Sequence, residues 1–576
     1  MNDVGFSISE GVANGATPYK KPSKRNIGLL GQFVRGVEFS PQKITRPSDF
    51  NEIFGGQSSS YFGPGIVKSI FDEAGDAPVT MYVARVIGSG STEAHATHGS
   101  VFGGVEAEIN AAYKGVPDKG SWGNAIKVQF YSKDSLVRGM FTVIVKYKDA
   151  KETYNYPTVS ELQTAINKVS KYISVEFTGN ATESYEELGG TVIVTAGSKI
   201  VKAGTCQIDT LVRDGSLRVG TALYTPEHAL IGTVSGFSGS AQDMVIILST
   251  NPLVTGTIDA MYRVDSFVEV SLSGGKDGEV KEEDFYPVAD VMSPKGLACF
   301  DGADVQIIAC TEFHSLSMAK VLNDYLASKR NPIGVVNLPL NADEGTAELY
   351  ADALQTNGHS FVASYMGWTT VPTEQGNSML IPAIGPILGS AYIRTPYLQG
   401  NGVHIPPGGE TSVFKNVLQV IPANISQDSV NKLVQQLSCN VIRYDETVGY
   451  YVGSSRTYST NELYMSIHIR MQTSYYLRAL KSLLIFMEQK PNTPELKRSA
   501  LVELNSYFKS EYDAGALERS VAFEVAYKGI CDKSNNPTNQ DRKLINIDVF
   551  YIPTECTESV HLSLMRNDGV LTITEE

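Results

Sequence analysis

Two parts of this sequence alternate apolar segments of strand length with segments of helical periodicity. The first part falls within residues 27–100, and the second begins after residue 270. Strands and helices that alternate in this way build a largely parallel sheet with helices packed against it. The predicted strands are 27–34, 78–87, 305–310, 333–338 and 361–365, and the predicted helices are 65–74, 315–328 and 347–354.

The segment between the two parts, residues 101–270, is rich in β-branched residues and in turns. Within it, a capping box from Thr158 to Glu161 predicts one helix. Since 576 residues are too many for one apolar core, several domains are expected. We predict a multidomain α/β (α+β) protein, in which a discontinuous α/β core carries one or two inserted β-rich domains.

The last third of the chain is predicted to be helical and then β-stranded. The predicted helices are 426–437, 461–489 and 494–512, and the predicted strands are 521–527 and 545–549. The whole chain then divides into an N-terminal arm, a first core part, the insert, a second core part and a C-terminal arm. The predicted bounds of these five segments are 1–26, 27–100, 101–270, 271–552 and 553–576.

Both ends of the chain carry strand patterns that have no partner nearby in the sequence. At the N-terminus, Val4, Phe6 and Ile8 alternate with small residues. At the C-terminus, two apolar patches flank an Asn-Asp-Gly turn signal and predict a hairpin, which is marginal on its own. Such strands fit donation to the sheet of another copy, although the N-terminal pattern alone also fits an unstructured tail. The apolar residues of the hairpin are Leu562, Leu564, Val570, Leu571 and Ile573.

Composition excludes several classes of function. The chain has 48 basic and 62 acidic residues, a net charge of −14, which argues against a protein that coats nucleic acid. It has no apolar run of about 18 residues, and its N-terminus lacks the pattern of a secretory signal. None of the six cysteines forms a CxxC pair, so we expect reduced thiols and no zinc site.

Six stretches, in order along the chain, resemble motifs of the contractile tail sheath proteins of myophages and related contractile injection systems. They cover the core segments and both edges of the insert. The family pattern is altered at Met366-Gly367 and Pro386-Ile387, and its tandem Arg before the long helix is missing. The six stretches are GSWGN (120–124), LSGGKDG (272–278), FVASYMGW (361–368), IPAIGPILGSAYIRT (381–395), GSSRT (453–457) and YKGICDKSNNP (527–537).

We interpret the motif residues as structural. Gly123 and Asn124 tolerate positive φ and are predicted to form a tight turn after a Trp122 anchor. Gly274 and Gly275 are predicted to turn the chain sharply where the insert rejoins the core. In the last motif, Asn535-Asn536-Pro537 is predicted to form a turn between two strands. The remaining structural motif residues are Asp277, Gly278, Arg456 and Asp532.

The resemblance implies a helical homopolymer of stacked, hexameric rings around an inner tail tube, which contracts to drive the tube through a target envelope. It implies that the terminal arms link neighbouring subunits, and that baseplate and tail terminator proteins are further partners. It implies no catalysis, cofactor, metal, nucleic acid or direct membrane insertion. The implied location is the virion tail, assembled in the cytoplasm of a bacterial host.

Two alternatives stay open at this point. Ser273-Gly274-Gly275-Lys276-Asp277 follows a predicted strand and is similar to the phosphate loop of ATP pyrophosphatases, although Gly278 stands where that loop has a hydroxyl residue. The other alternative is a different structural virion protein, such as a capsid protein or an adhesin. The sequence contains no GxxxxGK[ST], HExxH or GxSxG motif.

Charged residues in or beside apolar segments have structural interpretations too. Asp301, Asp304 and Glu312 flank the predicted strand 305–310 and are predicted to be solvated strand ends. Four arginines are predicted to form ion pairs or interface contacts. They are Arg85, Arg394, Arg456 and Arg470.

Overall fold

The computed structural model describes residues 22–102, 104–133, 136–137, 139–179, 185–264, 267–329, 332–355, 361–374, 376–537 and 543–557. Eight strands form its core sheet, in the order β2-β3-β1-β4-β5-β6-β7-β8. All neighbours are parallel except the outermost pair at each edge, which is antiparallel. The strands are β1 (Ile27–Gly31), β2 (Gln42–Ile44), β3 (Met81–Arg85), β4 (Ile307–Cys310), β5 (Ile333–Asn337), β6 (Val362–Met366), β7 (Asn440–Asp445) and β8 (Gly449–Val452).

Strands from both sides of the insert meet in this sheet. Ile27 of β1 lies opposite Met81 of β3 and Ile307 of β4. Every residue of β1, β4 and β6 is buried, as expected for strands that are covered on both faces. The predicted multidomain α/β class, with a discontinuous core, is therefore confirmed.

Helices cover both faces of the core sheet. One face packs against Pro47–Phe54, Phe62–Ala74 and a continuous helical segment made of Ile384–Ile387, the π-helical Leu388–Arg394 and Thr395–Leu398. The other face packs against Leu316–Lys329, Glu344–Leu354, Gln427–Asn431 and the π-helical Lys432–Gln436. A small antiparallel sheet joins the first layer, with strands Trp368–Pro372, Ser378–Pro382 and Gln419–Ile421.

Two sheets and one helix share the first apolar core of the insert. The helix Val159–Val169 begins as predicted, because the Thr158 hydroxyl accepts a hydrogen bond from Glu161 N. One sheet has the order Phe267–Ser271, Ile126–Tyr131, Phe141–Tyr147 and Ala150–Tyr156. The other has the order Ile173–Thr178, Glu106–Tyr113 and His95–His98, with Val116–Pro117 paired to its middle strand.

A separate apolar core lies within residues 185–264, under one sheet of eight short strands. The only helix longer than one turn in this stretch is Ile208–Arg213. The strands follow the order Tyr185–Glu187, Tyr262–Val264, Ala222–Tyr224, Leu230–Ser238, Val245–Leu248, Ile200–Ala203, Val192–Val194 and Gly256–Ile258.

The C-terminal part packs two helices, Ile467–Leu483 and Pro494–Asp513, against a sheet of two strands, Tyr527–Ile530 and Asp548–Tyr551. The predicted helix 461–489 is too long, because its apolar ends form separate 3-10 turns. The predicted strand 521–527 is wrong, because Phe523–Ala526 forms a helical turn before the strand begins. Among the described residues, no helix is both long and apolar enough to cross a membrane.

Candidate subunit interface

The arm residues predicted from the sequence lie outside the described residues. The described chain begins at Pro22 and ends at Thr557. The strand donation predicted for the two arms therefore stays a prediction. The residues concerned are Val4, Phe6, Ile8, Leu562, Leu564, Val570, Leu571 and Ile573.

The two-stranded sheet of the C-terminal part is fixed from behind by aromatic packing. Its strands are antiparallel, with Tyr527 opposite Tyr551. The Tyr527 ring stacks on Phe508 at 4.4 Å, and the Tyr551 ring meets Tyr476 edge-on at 5.2 Å. Within the described chain each of these strands pairs only with the other, and a bridge from Leu517 to Pro553 begins just after the second strand. Along Tyr527–Ile530 and Asp548–Tyr551 each strand therefore has an outer edge that can accept another strand.

Apolar side chains lie exposed beside these edges. Phe550 is 57% exposed, and Val525 and Ile552 are 61% and 42% exposed. An unpaired strand edge next to exposed apolar side chains is the surface that an added β-strand recognises, through backbone hydrogen bonds and side-chain burial. This two-stranded sheet is therefore our candidate acceptor for an arm.

The loop between the two strands is organised by the last of the six motifs. The Asp532 carboxylate accepts a hydrogen bond from Ser534 N at 2.7 Å. The Asn536 amide donates to Asn546 O and accepts from Asn546 N, at 2.8 and 2.7 Å. These side chains hold the chain in a turn, which is the structural role predicted for this motif.

The two motifs at the edges of the insert contact each other. The Asn124 amide donates to Gly275 O at 3.0 Å and accepts from Gly275 N at 2.8 Å. The Asp277 carboxylate accepts hydrogen bonds from the backbone and the hydroxyl of Ser121. The chain therefore leaves the core and returns to it at one place.

Glycine serves a different purpose at this junction than the sequence suggested. The positive φ lies at Gly120 (129°) and not at Gly123 or Asn124. Gly123 is required for close packing, since a Cβ there would approach the Ala94 Cβ to 2.7 Å. Gly274 does take a positive φ of 83° and turns the chain, as predicted.

A buried arginine connects this junction to the core sheet. Arg85, the last residue of β3, forms an ion pair with Asp118 at 3.1 Å and a longer one with Asp277 at 3.6 Å. The Asp118 carboxylate also accepts from Gly36 N at 2.9 Å. Burial lowers the pKa of Arg85, and the two carboxylates raise it back towards its ordinary value.

A second buried arginine links the insert to the residues after β1. The Arg35 guanidinium lies 4.8 Å from the Tyr172 ring, 5.5 Å from Trp122 and 5.6 Å from Tyr147. It also donates to Lys171 O at 3.1 Å. Three rings of the insert thus enclose one cation of the core, which gives Trp122 its anchoring role.

The other three predicted arginines differ in their contacts. Arg394 pairs with buried Glu73 at 3.3 Å. Arg456 exchanges backbone hydrogen bonds with the Asn440 side chain, both at 2.7 Å. Arg470 lies over the Tyr464 ring at 3.9 Å.

Glu312 is not the solvated strand end that the sequence suggested. It follows β4 at the point where β1 is flanked by β3 on one side and β4 on the other. Its carboxylate accepts from Gln32 N at 3.0 Å and from Gly63 N, in the first turn of a helix, at 3.1 Å. Burial raises the pKa of Glu312 from its ordinary 4.5 to about 7.

This shift predicts a specific pH dependence. The folded chain holds the Glu312 proton up to about pH 7, whereas the unfolded chain releases it near 4.5, so this group lowers stability as the pH rises through that window. His314 acts in the opposite sense, because burial lowers its pKa to about 4 and stability falls as the pH drops below 6.5. Relative to wild type, Glu312→Gln is expected to gain at most about 3 kcal/mol of unfolding free energy between pH 4 and pH 8.

Urea unfolding at several pH values measures this difference. Glu344→Gln is the matched control, since its carboxylate pairs with Lys432 at the surface and that contact lowers its pKa instead. A Glu312→Gln profile parallel to wild type would contradict the prediction.

The architecture is shared with solved structures of other proteins. No model of a known protein family and no curated protein matches the sequence. A solved structure of a sheath tail protein from Listeria innocua matches over 93% of this chain and 96% of that chain, with a TM-score of 0.52 and 12% sequence identity.

The chain has the fold of a sheath tail protein. The resemblance stated from the motifs is thus confirmed for the fold. Two further solved structures are similar over part or most of the chain. A sheath tail protein from Desulfitobacterium hafniense covers 94% of this chain and 98% of that chain at 11% identity and a TM-score of 0.48. The contracted helical sheath of the anti-feeding prophage covers 51% of this chain and 79% of that chain at 19% identity and a TM-score of 0.40.

In this sheath fold the loop 273–277 belongs to the insert junction. A phosphate loop needs a helix N-terminus behind it, but the residues after Gly278 run through isolated bridges to a short 3-10 turn, Glu282–Phe285. Asp277 is already engaged by Ser121 and Arg85. The described residues also contain no cluster of His, Cys, Asp or Glu that could hold a metal ion.

Several residues that organise the sheath fold were not singled out from the sequence. They share one property, a charge buried by partners far away in the chain. A charged residue at the end of a predicted buried strand or helix is a weak signal for such a role. The residues are Arg35, Glu73 and Asp118.

Proposed function

We propose that this chain is the polymerising subunit of a contractile tail sheath. The observation that supports this most is the match of its fold to a sheath tail protein over nearly the full length of both chains. A match confined to the core would fit many α/β proteins, since one fold serves many functions. This match also includes the insert and the C-terminal part.

Polymerisation requires an interface that can repeat without closing the assembly after a fixed number of copies. Two different surfaces of one chain that recognise each other generate an open helical assembly when the rotation between successive copies does not close a ring. An arm as donor and the two-stranded sheet as acceptor are such a pair, because they belong to different parts of the chain. Each junction would contribute about four backbone hydrogen bonds at roughly 1 kcal/mol each, and roughly 1.5–3 kcal/mol per buried apolar side chain. One junction is therefore weak, but its repetition along the polymer makes the whole assembly stable.

The finer assignments belong to the same proposal. We keep the division into arms, core segments 27–100 and 271–552, and the insert 101–270 that faces outward. The helical last third faces an inner tube, the rings are hexameric, and baseplate and terminator proteins bind at the two ends of the sheath. The sheath is assembled in the cytoplasm of a bacterial host, becomes part of the virion tail, and contracts from a kinetically trapped extended state.

Deleting residues 1–12 tests the arm. The truncated chain is expected to fold and to remain in small species, because it lacks the predicted strand that carries Val4, Phe6 and Ile8. Negative-stain electron microscopy of the purified full chain and of the truncated chain measures the outcome.

The double variant Phe6→Ser, Ile8→Ser and the single control Ser7→Ala separate strand pairing from mere length. The double variant is expected to match the deletion, and Ser7→Ala to match wild type, since Ser7 lies on the opposite side of the strand pattern. Full-length tubes from the truncated chain would refute the role of the arm. Absence of tubes from wild type under all conditions would refute polymerisation itself.

A further inference from the structure

Arg25 lies between the N-terminal arm and β1 and is only 8% exposed. Its Nη2 donates to Gly402 O at 2.7 Å. Its Nη1 is buried and has no hydrogen-bond partner among the described residues. A buried guanidinium without a counter-charge is strongly destabilising, so its retention needs an explanation.

The other buried arginines of the described chain each have a carboxylate or an aromatic ring as partner, although Arg35 Nε and Arg470 Nε and Nη2 also lack a hydrogen bond. Two of them pair with carboxylates, and two lie against aromatic rings. The pairs are Arg85 with Asp118 and Arg394 with Glu73, and the stacked residues are Arg35, over Tyr172, and Arg470, over Tyr464. Arg25 has neither kind of partner in the part of the chain that the structure describes.

The surroundings of Arg25 are mostly basic, and the one carboxylate at the rim, Asp304, pairs with Arg478 at 3.8 Å. The neighbouring Lys24 ammonium donates to Asn401 O at 2.7 Å. Burial lowers the pKa of His404, and the positive charges of Arg25, Lys24 and Arg519 lower it further. Burial also lowers the pKa of Arg25 to about 9. The local field therefore favours an anion and opposes another cation.

A cavity of about 330 Å³ lies beside this residue. Its walls include Arg25 and Lys24 together with Pro78, Ile393 and Tyr397, none of which carries a negative charge. A space of this size admits the end of an acidic side chain. A guanidinium fork binds a carboxylate in a planar, two-bonded geometry.

We infer that this cavity binds a carboxylate side chain of a neighbouring copy of this chain, with Arg25 as its anchor. The neighbouring copy is the favoured source, because 62 acidic residues against 48 basic ones make carboxylates the charges in excess on every subunit. The site also lies at the root of the arm, where contact between copies is proposed. The inference rests on the proposed polymerisation.

The first test compares two arginine variants of the full chain. Arg25→Gln is expected to raise the concentration needed for polymerisation about tenfold or more, since truncating one partner of a buried charge pair has a large effect. It is not expected to lower the melting temperature of the unassembled chain, because it removes an unpaired buried charge. Arg46→Gln is the control, with the same change of charge on a side chain that is 74% exposed. Light scattering and sedimentation measure polymerisation.

The second test identifies the source of the carboxylate. Polymers grown from an equal mixture of ¹⁴N- and ¹⁵N-labelled chains are treated with a carbodiimide, which joins amines to carboxylates. Mass spectrometry is expected to find Lys24 joined to an Asp or Glu of the differently labelled chain.

The outcomes separate this inference from the proposed function. If the wild-type chain polymerises and Arg25→Gln polymerises at the same concentration as Arg46→Gln, the inference is overturned and the proposed function stands. Cross-links from Lys24 only to acidic residues of its own chain would also overturn the inference, because the carboxylate would then come from the same copy. A wild-type chain that never polymerises would overturn both.

Discussion

Glu73→Ala is expected to destabilise the core by about 3–5 kcal/mol, because it leaves a buried arginine without its counter-charge. Glu73 is fully buried at the end of the helix Phe62–Ala74. Its carboxylate accepts from Asn416 N at 2.6 Å and from Lys415 N at 2.9 Å, and it pairs with Arg394 at 3.3 Å. One side chain thus holds a helix, a π-helical segment and a loop together. Urea unfolding of the purified chain, followed by far-UV circular dichroism, measures the loss.

The neighbouring residue supplies the matched control. Asp72 forms a surface pair with Lys68 within one helix, so Asp72→Ala is expected to cost less than about 1 kcal/mol. Replacing both Glu73 and Arg394 by methionine is expected to recover much of the loss, since no unpaired charge then remains. Equal effects of Glu73→Ala and Asp72→Ala would contradict the buried pair as the cause.

The core sheet was predictable because its strands are short and almost continuously apolar. The segments around Ile27, Ile307 and Val362 were each predicted as strands, and each is buried on both faces of the sheet. Their neighbours in the sheet could not be derived from periodicity, since β1 and β4 are separated by the whole insert. Periodicity reports which face of an element is buried and not which element covers it.

The errors have physical causes of the same kind. The apolar pattern of the helix Ile467–Leu483 continues beyond both of its ends, but the 3-10 turns there bury no residue, so no packed face extends the helix. Glu312 was assigned to solvent because carboxylates usually lie there, yet backbone N–H groups of two distant segments converge on it.

The candidate interface was predictable only in part. The motif around Asp532 predicted a turn between two strands, and the structure places that turn between the strands of the acceptor sheet. The free edges of this sheet followed only from its topology. Arg25 gave no signal in the sequence, because its lack of a partner depends on what the fold places around it.

Trp122→Ala is expected to destabilise the inserted domain by about 3–5 kcal/mol, the usual cost of removing a large buried ring. Trp122 is 6% exposed and lies edge-on to Tyr147 at 5.5 Å. Its loss also removes one of the three rings that enclose Arg35, so the attachment of the insert to the core should weaken. Limited proteolysis is expected to cut the Trp122→Ala chain within the insert many times faster than wild type.

The two tryptophans of the chain make this effect separable from a general loss of stability. In Trp122→Ala the remaining tryptophan is Trp368, which lies in the core layer and packs edge-on against Phe62 at 5.4 Å. Its fluorescence should report a core transition close to that of the control Trp122→Phe, which keeps a ring beside Arg35. Circular dichroism should show an earlier loss of β-structure in the alanine variant alone. A Trp368 transition that moves as far as the dichroism signal would mean that core and insert unfold as one unit, because the Arg85 pair with Asp118 and Asp277 still couples them.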